Sequence, residues 1–237
     1  MSEPRIHWMD TVESTLDEIH ELAEAGAPDG TVVVAKEQTQ GRGRRGRTWH
    51  SPVGGCWFSI LQRGEVTSGS SVLSIRVGLC VAEVIAALGV RHPVRLKWPN
   101  DLMLDGAKAA GLMLDSGAVV GDAQPGRTWF ALAFGVNIIG APGQLDQPTQ
   151  YLSAFLRGPV PSPEALLADI RSRLETWTLR LEREGFSALR AAWLARAYGL
   201  GRKVGVEIGG KKTEGLVAGL SEKGELELET AGGVVRI

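Results

Sequence analysis

Cysteine is almost absent: Cys56 and Cys80 are the only two in 237 residues. With no C-x-x-C pair and no Cys/His cluster, the sequence supports neither a disulfide framework nor a structural zinc, and a reducing cytoplasm is the expected setting. Positive charge is not in excess either. Against 27 Asp and Glu stand 26 Lys and Arg, a net charge of −1. A dedicated nucleic-acid binder draws affinity from neutralising phosphates and needs a basic field, which this composition does not supply. No segment reaches about 18 uninterrupted apolar residues, and the opening MSEPRIHWMD has no signal-peptide core. The expectation is a soluble protein that neither spans a membrane nor is exported. What the chain does have is 43% hydrophobic content, enough at this length to bury a sizeable core in one large domain or a large plus a small one.

The apolar pattern predicts a mixed α/β body. Ser14 or Thr15 caps a helix running to about Ala25, with Leu16, Ile19, Leu22 and Ala23 at helical spacing. TVVVAKEQ, 31–38, is short and β-branched, a buried strand; GGCWFSILQ forms another after a glycine-rich loop. An apolar helix covers Ser71 to Leu88 and closes at Gly89. VRLKW, LMLD and KAAGLML read as three strands joined by turns at Pro99-Asn100-Asp101 and Asp105-Gly106, the first a type I turn. TWFALAFGVNI, 128–138, is a further buried strand, and two helices follow, about Glu164 to Glu184 and Phe186 to Ala197. After Gly199 the pattern changes to period two with Gly-Gly and Lys-Gly turns, a small antiparallel barrel.

Between the second and third predicted elements lies GRGRRGRTWHSP, 41–52. Its glycines satisfy G-x-G-x-x-G, but a dinucleotide site requires a helix next, and Pro52, Gly54 and Gly55 forbid one. Four arginines on a flexible backbone repel one another unless an anion offsets them. Glycine allows close wrapping, and guanidinium forks suit phosphate or carboxylate. On these residues alone the loop is either a phosphate clamp or a solvated basic loop. Two further islands carry chemistry: KWPND, 97–101, and Lys108, which opens an apolar strand and needs a partner if its ammonium is buried.

Taken in order, GRGRRGRTW, KWPND with Lys108, Ala109, Ala110 and Gly111, and GVN at 135–137 resemble the biotin–protein ligases, also called biotin–[acetyl-CoA-carboxylase] ligases. The resemblance covers most of the chain. It implies an α/β mixed-sheet catalytic domain of the class II aminoacyl-tRNA synthetase/biotin ligase type at 1–190, and an SH3-like barrel at 197–237. It also implies a two-step reaction: biotin and ATP form biotinyl-5′-AMP and pyrophosphate, with Mg2+ assisting, and the biotin passes to a lysine of the biotin carboxyl carrier domain of an acyl-CoA carboxylase.

Residue by residue, the resemblance places Ser14, Thr15 and Gln38 on the biotin ureido ring. Gly41, Arg42, Gly43 and Arg44 fall in the loop over biotin and the phosphates, with Arg47 on the nucleotide side. Lys108 falls at the carboxylate and phosphoryl group, Gly111 at a close backbone approach, Asn137 and Trp49 at adenine. Lys108, Arg44 and Asp101 are the catalytic candidates, Asp101 orienting or deprotonating the acceptor lysine. The metal ligands are unassigned. Leu16 stands where the family has Asn, and Ala133 where it commonly has Gly; the sequence also stops before a terminal Gly-Glu turn common in the barrel. The dozen residues before Ser14 leave no room for a winged helix, so no operator DNA is expected. Two alternatives remain: a lipoate–protein ligase-like enzyme, and a noncatalytic nucleic-acid or adaptor protein.

Overall fold

The computed structural model describes residues 5–64, 70–118, 128–140, 148–208 and 211–237. Strand β1, Ile6–Val12, lies parallel to β2, Val32–Gln38. The chain crosses between them through α1, Thr15–Glu24. Ser14 caps this helix by accepting the Leu16 N–H at 3.3 Å, and Asp17 and Glu18 complement its positive end. Leu16, Ile19 and Ala23 recur on one face and are buried, the two larger side chains each contributing about 1.5–3 kcal/mol.

β3, Gly55–Gly64, pairs antiparallel with β2 and with β7, Thr128–Asn137. Beyond β7 come β6, Ala107–Ala118, then β5, Asp101–Leu104, and β4, Arg95–Lys97, all antiparallel. The sheet order is β1-β2-β3-β7-β6-β5-β4. Helix α1 packs on one face, against Val33, Leu61, Trp129 and Ala131. On the other lie α2, Ser70–Ala87, α3, Pro163–Glu184, and α4, Phe186–Leu194. They bury Val32, Val34, Phe58, Leu132 and Phe134, which is why TVVVA reads as a continuous apolar run rather than an alternating one. Ser162 caps α3 through the Ala165 N–H, with Pro163 in the first turn.

A second sheet, ordered β11-β10-β9-β8, is antiparallel throughout. Its strands are β8, Lys203–Ile208, β9, Lys211–Leu220, β10, Leu226–Thr230, and β11, Gly233–Arg236. It fits the small SH3-like unit expected at the C-terminus; the expected Gly209-Gly210 turn lies outside the described residues. The sheet is bolted to the body. Trp98 Nε1 donates to Gly224 O at 3.2 Å, Arg190 Nε donates to Leu220 O at 2.6 Å, and Leu220 itself belongs to the main core.

Three local expectations change. β1 carries no legible strand pattern, because on this edge strand Ile6 and Trp8 are exposed and only Met9 and Val12 reach the interior, out of period-two phase. The second C-terminal helix ends at Leu194. The turn expected at Pro99-Asn100-Asp101 closes one residue earlier, since Asp101 already opens β5 and pairs with Lys97.

Candidate active site

The site lies on the α1 face of the large sheet, beyond the end of that helix. A single cross-strand row forms its floor: Asp101 pairs with Gly111, Gly111 with Gly135, Gly135 with Trp57, and Trp57 with Ala35. Two glycines side by side remove the side chains that would otherwise cover the strands, and Trp49 occupies the space. A Cβ at Gly135 would collide with the Trp49 indole, and one at Gly111 would stand 3.1 Å from Trp49 Cζ3.

Lys108 reaches this face by a bulge. Leu102 pairs with Ala110, but its neighbour Met103 pairs with Lys108, so Ala109 is the extra residue. In a regular ladder, counting back from Gly111 would place Ala109 on the site face and Lys108 in the core. Instead Ala109 and Ala110 both enter the main core and Lys108 turns to the site. Its Nζ lies 2.6 Å from Asp101 Oδ1, with side-chain exposures of only 11% and 15%, and 4.8 Å from the centre of the Trp49 ring. The two opposite charges are buried together, each the partner the other needs away from water. The lysine backbone is fixed on its other edge, its N–H donating to Pro148 O and its carbonyl accepting from Gln150 N. Asn137 continues that support. Its Nδ2 donates to Gln150 O at 3.0 Å, while its fully buried Oδ1 has no partner among the described residues. The buried Trp49 Nε1 also lacks one. One acceptor and one donor are therefore left for a ligand, since unsatisfied buried polar atoms are otherwise costly.

At the opposite end is a neutral polar cluster. Gln38 Oε1 accepts from Thr15 N at 2.8 Å and from Thr15 Oγ1 at 3.1 Å, and Gln38 Nε2 donates to Ser51 Oγ at 2.6 Å. Ser59 Oγ in turn donates to Thr15 Oγ1 at 2.9 Å, and Ser51 Oγ donates to Trp49 O at 3.3 Å. Gly41 makes this crowding possible: a Cβ there would meet Trp49 O, Ser51 Oγ and Gln38 Nε2. Ser14 is buried and its hydroxyl caps α1.

The arginine loop closes over the floor between these ends. Gly43 N donates to Arg47 O at 2.7 Å and Trp49 N to Gly41 O at 2.8 Å, forming a narrow hairpin. Its cations divide into two sets. Arg42 pairs with Asp17 in the first turn of α1, and Arg45, in the left-handed region at φ 59°, reaches across to the main-chain carbonyl of Glu207 at 2.8 Å. Arg44 makes only a 3.4 Å contact with Asn100 Oδ1, and Arg47 has no side-chain hydrogen bond or ion pair among the described residues. Burial, and then the neighbouring Arg45, lower the Arg44 pKa from its ordinary value, with Asp101 pulling the other way. A bound anion would relieve that strain.

Of the residues expected from the sequence, Thr15, Gln38, Gly41, Trp49, Asp101, Lys108, Gly111 and Asn137 are brought together on this face, Arg42 and Arg44 flank it through Asp17 and Asn100, Ser14 is set back as a cap, and the Arg47 side chain makes no contact that ties it to the others. Several contributors were missed. Asp17 and Ser59 are short polar side chains with no motif around them, and Ser51 closes the arginine stretch, where nothing sets it apart from its neighbours. Gly135 had a signal, since it precedes Val136 and Asn137 in a strand where glycine otherwise weakens packing. Asn100, within KWPND, ties the turn to β6 by donating to Leu112 O at 2.6 Å.

Comparison with known proteins follows the same line. Residues 8–124 match the biotin/lipoate A/B protein ligase family. A biotin–[acetyl-CoA-carboxylase] ligase of Paracoccus denitrificans is 32% identical over 227 residues, which covers 93% of this chain and 92% of that protein. Another, from Mycobacterium tuberculosis, is 32% identical over 234 residues, covering 94% and 82%. Among solved structures, a biotin protein ligase from Aquifex aeolicus in complex with biotin and ATP is similar with a TM-score of 0.82 and 27% identity, over 98% of this chain and 95% of that one.

Proposed function

We propose how this site works from the premise that the chain belongs to the biotin/lipoate A/B protein ligase family, on its biotin–protein ligase branch. It is an ATP-dependent ligase whose substrates are biotin and ATP, and it acts on biotin-accepting carrier proteins. The assignment of residues rests above all on the Lys108–Asp101 pair beside the Gly111–Gly135 floor.

Biotin's ureido ring meets Thr15 and Gln38, whose amide and hydroxyl groups suit a neutral cyclic urea. Its valeryl chain runs along the glycine floor toward Lys108. There the carboxylate attacks the α-phosphorus of ATP and pyrophosphate leaves, giving biotinyl-5′-AMP. Lys108, Arg44 and Arg47 place cations where charge moves among phosphoryl oxygens, without reorganisation at the moment of reaction. Trp49 moves off the floor to cover the adenine, and Asn137 Oδ1 accepts from the exocyclic amine. In the second step the acceptor lysine, ordinarily protonated at neutral pH, gives its proton toward Asp101; its amine attacks the acyl carbon and AMP leaves.

Magnesium belongs with the triphosphate in this reading. Among the described residues no group of three or more His, Cys, Asp or Glu side chains could hold a cation, so those residues offer no cage of their own. We assign the acceptor to the biotin carboxyl carrier domain of an acyl-CoA carboxylase and the setting to the cytoplasm; no helix among the described residues is long and apolar enough to cross a membrane. We assign the catalytic unit to 1–190 and the small unit to 197–237.

The test is exchange of labelled pyrophosphate into ATP. It should require biotin and fail with lipoate in its place, and a purified carrier domain should then acquire biotin on one lysine. Exchange that runs equally with lipoate, or without any acid, would sink the assignment.

A further inference from the structure

The polar cluster at the biotin end is not a loose set of contacts. Its donors all point one way: Ser59 to Thr15, Thr15 to Gln38, Gln38 to Ser51, and Ser51 to the Trp49 carbonyl. The order is enforced, because Thr15 N–H donates to Gln38 Oε1 at 2.8 Å. Rotating the amide by half a turn would face its NH2 against that N–H. Gln38 Nε2 must therefore point at Ser51, whose single hydrogen is left for Trp49 O. Ser51 is 3% exposed, so water has little access to substitute for either bond. The main chain repeats the connection, with Gln38 N donating to Ser51 O at 3.0 Å.

We propose that Ser51 is a positioning residue that couples the two substrate subsites: it transmits the orientation of Gln38, at the biotin end, to the backbone that carries Trp49, at the nucleotide end. The proposal rests on the placement of biotin and ATP given above. When a ureido group engages Thr15 and Gln38, the bonds along a one-way chain strengthen together, and the Trp49 carbonyl is held in the position that lets its ring cover a purine. Coupling between two ligands through one protein ordinarily amounts to about 5- to 150-fold in affinity.

The test is calorimetric titration of the whole chain with a non-hydrolysable ATP analogue, with and without saturating biotin. Wild-type protein should bind the analogue about tenfold or more tightly when biotin is present. In Ser51→Ala, and in Ser51→Cys, which keeps the size but donates poorly, that ratio should fall below about threefold in protein that is still fully folded at the titration temperature. Ser51→Thr, which restores the hydroxyl, should recover the coupling. Variants that keep the full ratio overturn the role of Ser51 and leave the placement of the substrates standing. A wild-type protein that binds no biotin removes that placement, and the coupling with it.

Discussion

Lys108 and Asp101 are each other's main support, so their substitutions should separate chemistry from stability. Lys108→Ala is expected to lower biotin-dependent pyrophosphate exchange by about 100-fold or more, and to lower the melting temperature as well, because it strands Asp101 at 15% exposure. Adding Asp101→Asn to Lys108→Ala should recover stability without recovering exchange, and a double variant no more stable than the single would show that the pair carries no burial penalty. The thiols give a second test. Burial pushes Cys56 from 9.0 up to about 12 and raises Cys80 as well. Because each is protonated when folded and ionised when unfolded over that range, stability is full below pH 9 and is lost as pH rises toward the folded values, by at most about 1.4 kcal/mol per pH unit for each thiol. Denaturant midpoints from pH 8 to 10.5 should fall, and Cys56→Ser with Cys80→Ser should flatten the slope. At this scale the sequence disclosed residue identities better than partners: Lys108 was expected to need a counter-charge, but its source, seven residues upstream, depends on how the strands pair.

Among the elements, those with a buried face and a cap were legible in advance. Helix α1 declared itself through Ser14 and the spacing of Leu16, Ile19 and Ala23, and α2 through its long apolar run. β1 was not, since strand pairing holds it with little side-chain burial. Nor was the bulge at Ala109, because period-two counting contains no term for an inserted residue, and it assigns Lys108 to the wrong face. The arginine loop shows the same limit. Four arginines predict repulsion; only the folded chain reveals that Arg42 and Arg45 tether the loop, while Arg44 has the long contact with Asn100 and Arg47 has no side-chain bond among the described residues. Arg45→Ala should therefore speed tryptic cleavage at Arg42, Arg44 and Arg47 in the free protein, and biotin plus ATP should slow it again. Glu207→Ala should change neither rate, because the acceptor is a main-chain carbonyl; equal sensitivity to both substitutions would show that the tether runs through the Glu207 side chain instead.

At the scale of the whole molecule, the described residues form two sheets but not two independent cores. Leu220 of β9 packs into the main cluster, and Trp98 touches both that cluster and the small one built from Val217, Leu226 and Leu228. Shared burial of this kind favours joint unfolding. Scanning calorimetry should give a single transition, and a chain ending near residue 197 should melt well below the full chain; two separate peaks would mean that the seam is energetically slight. Trp98 has one more consequence. Its indole is half-sheltered at the seam, hydrogen-bonded to Gly224 O, three residues before Asp101. Indole emission shifts to longer wavelength when the ring meets water, so the spectrum that vanishes in Trp98→Phe is an optical gauge of the seam, and a change in that gauge on adding carrier protein would report movement of the small sheet in real time.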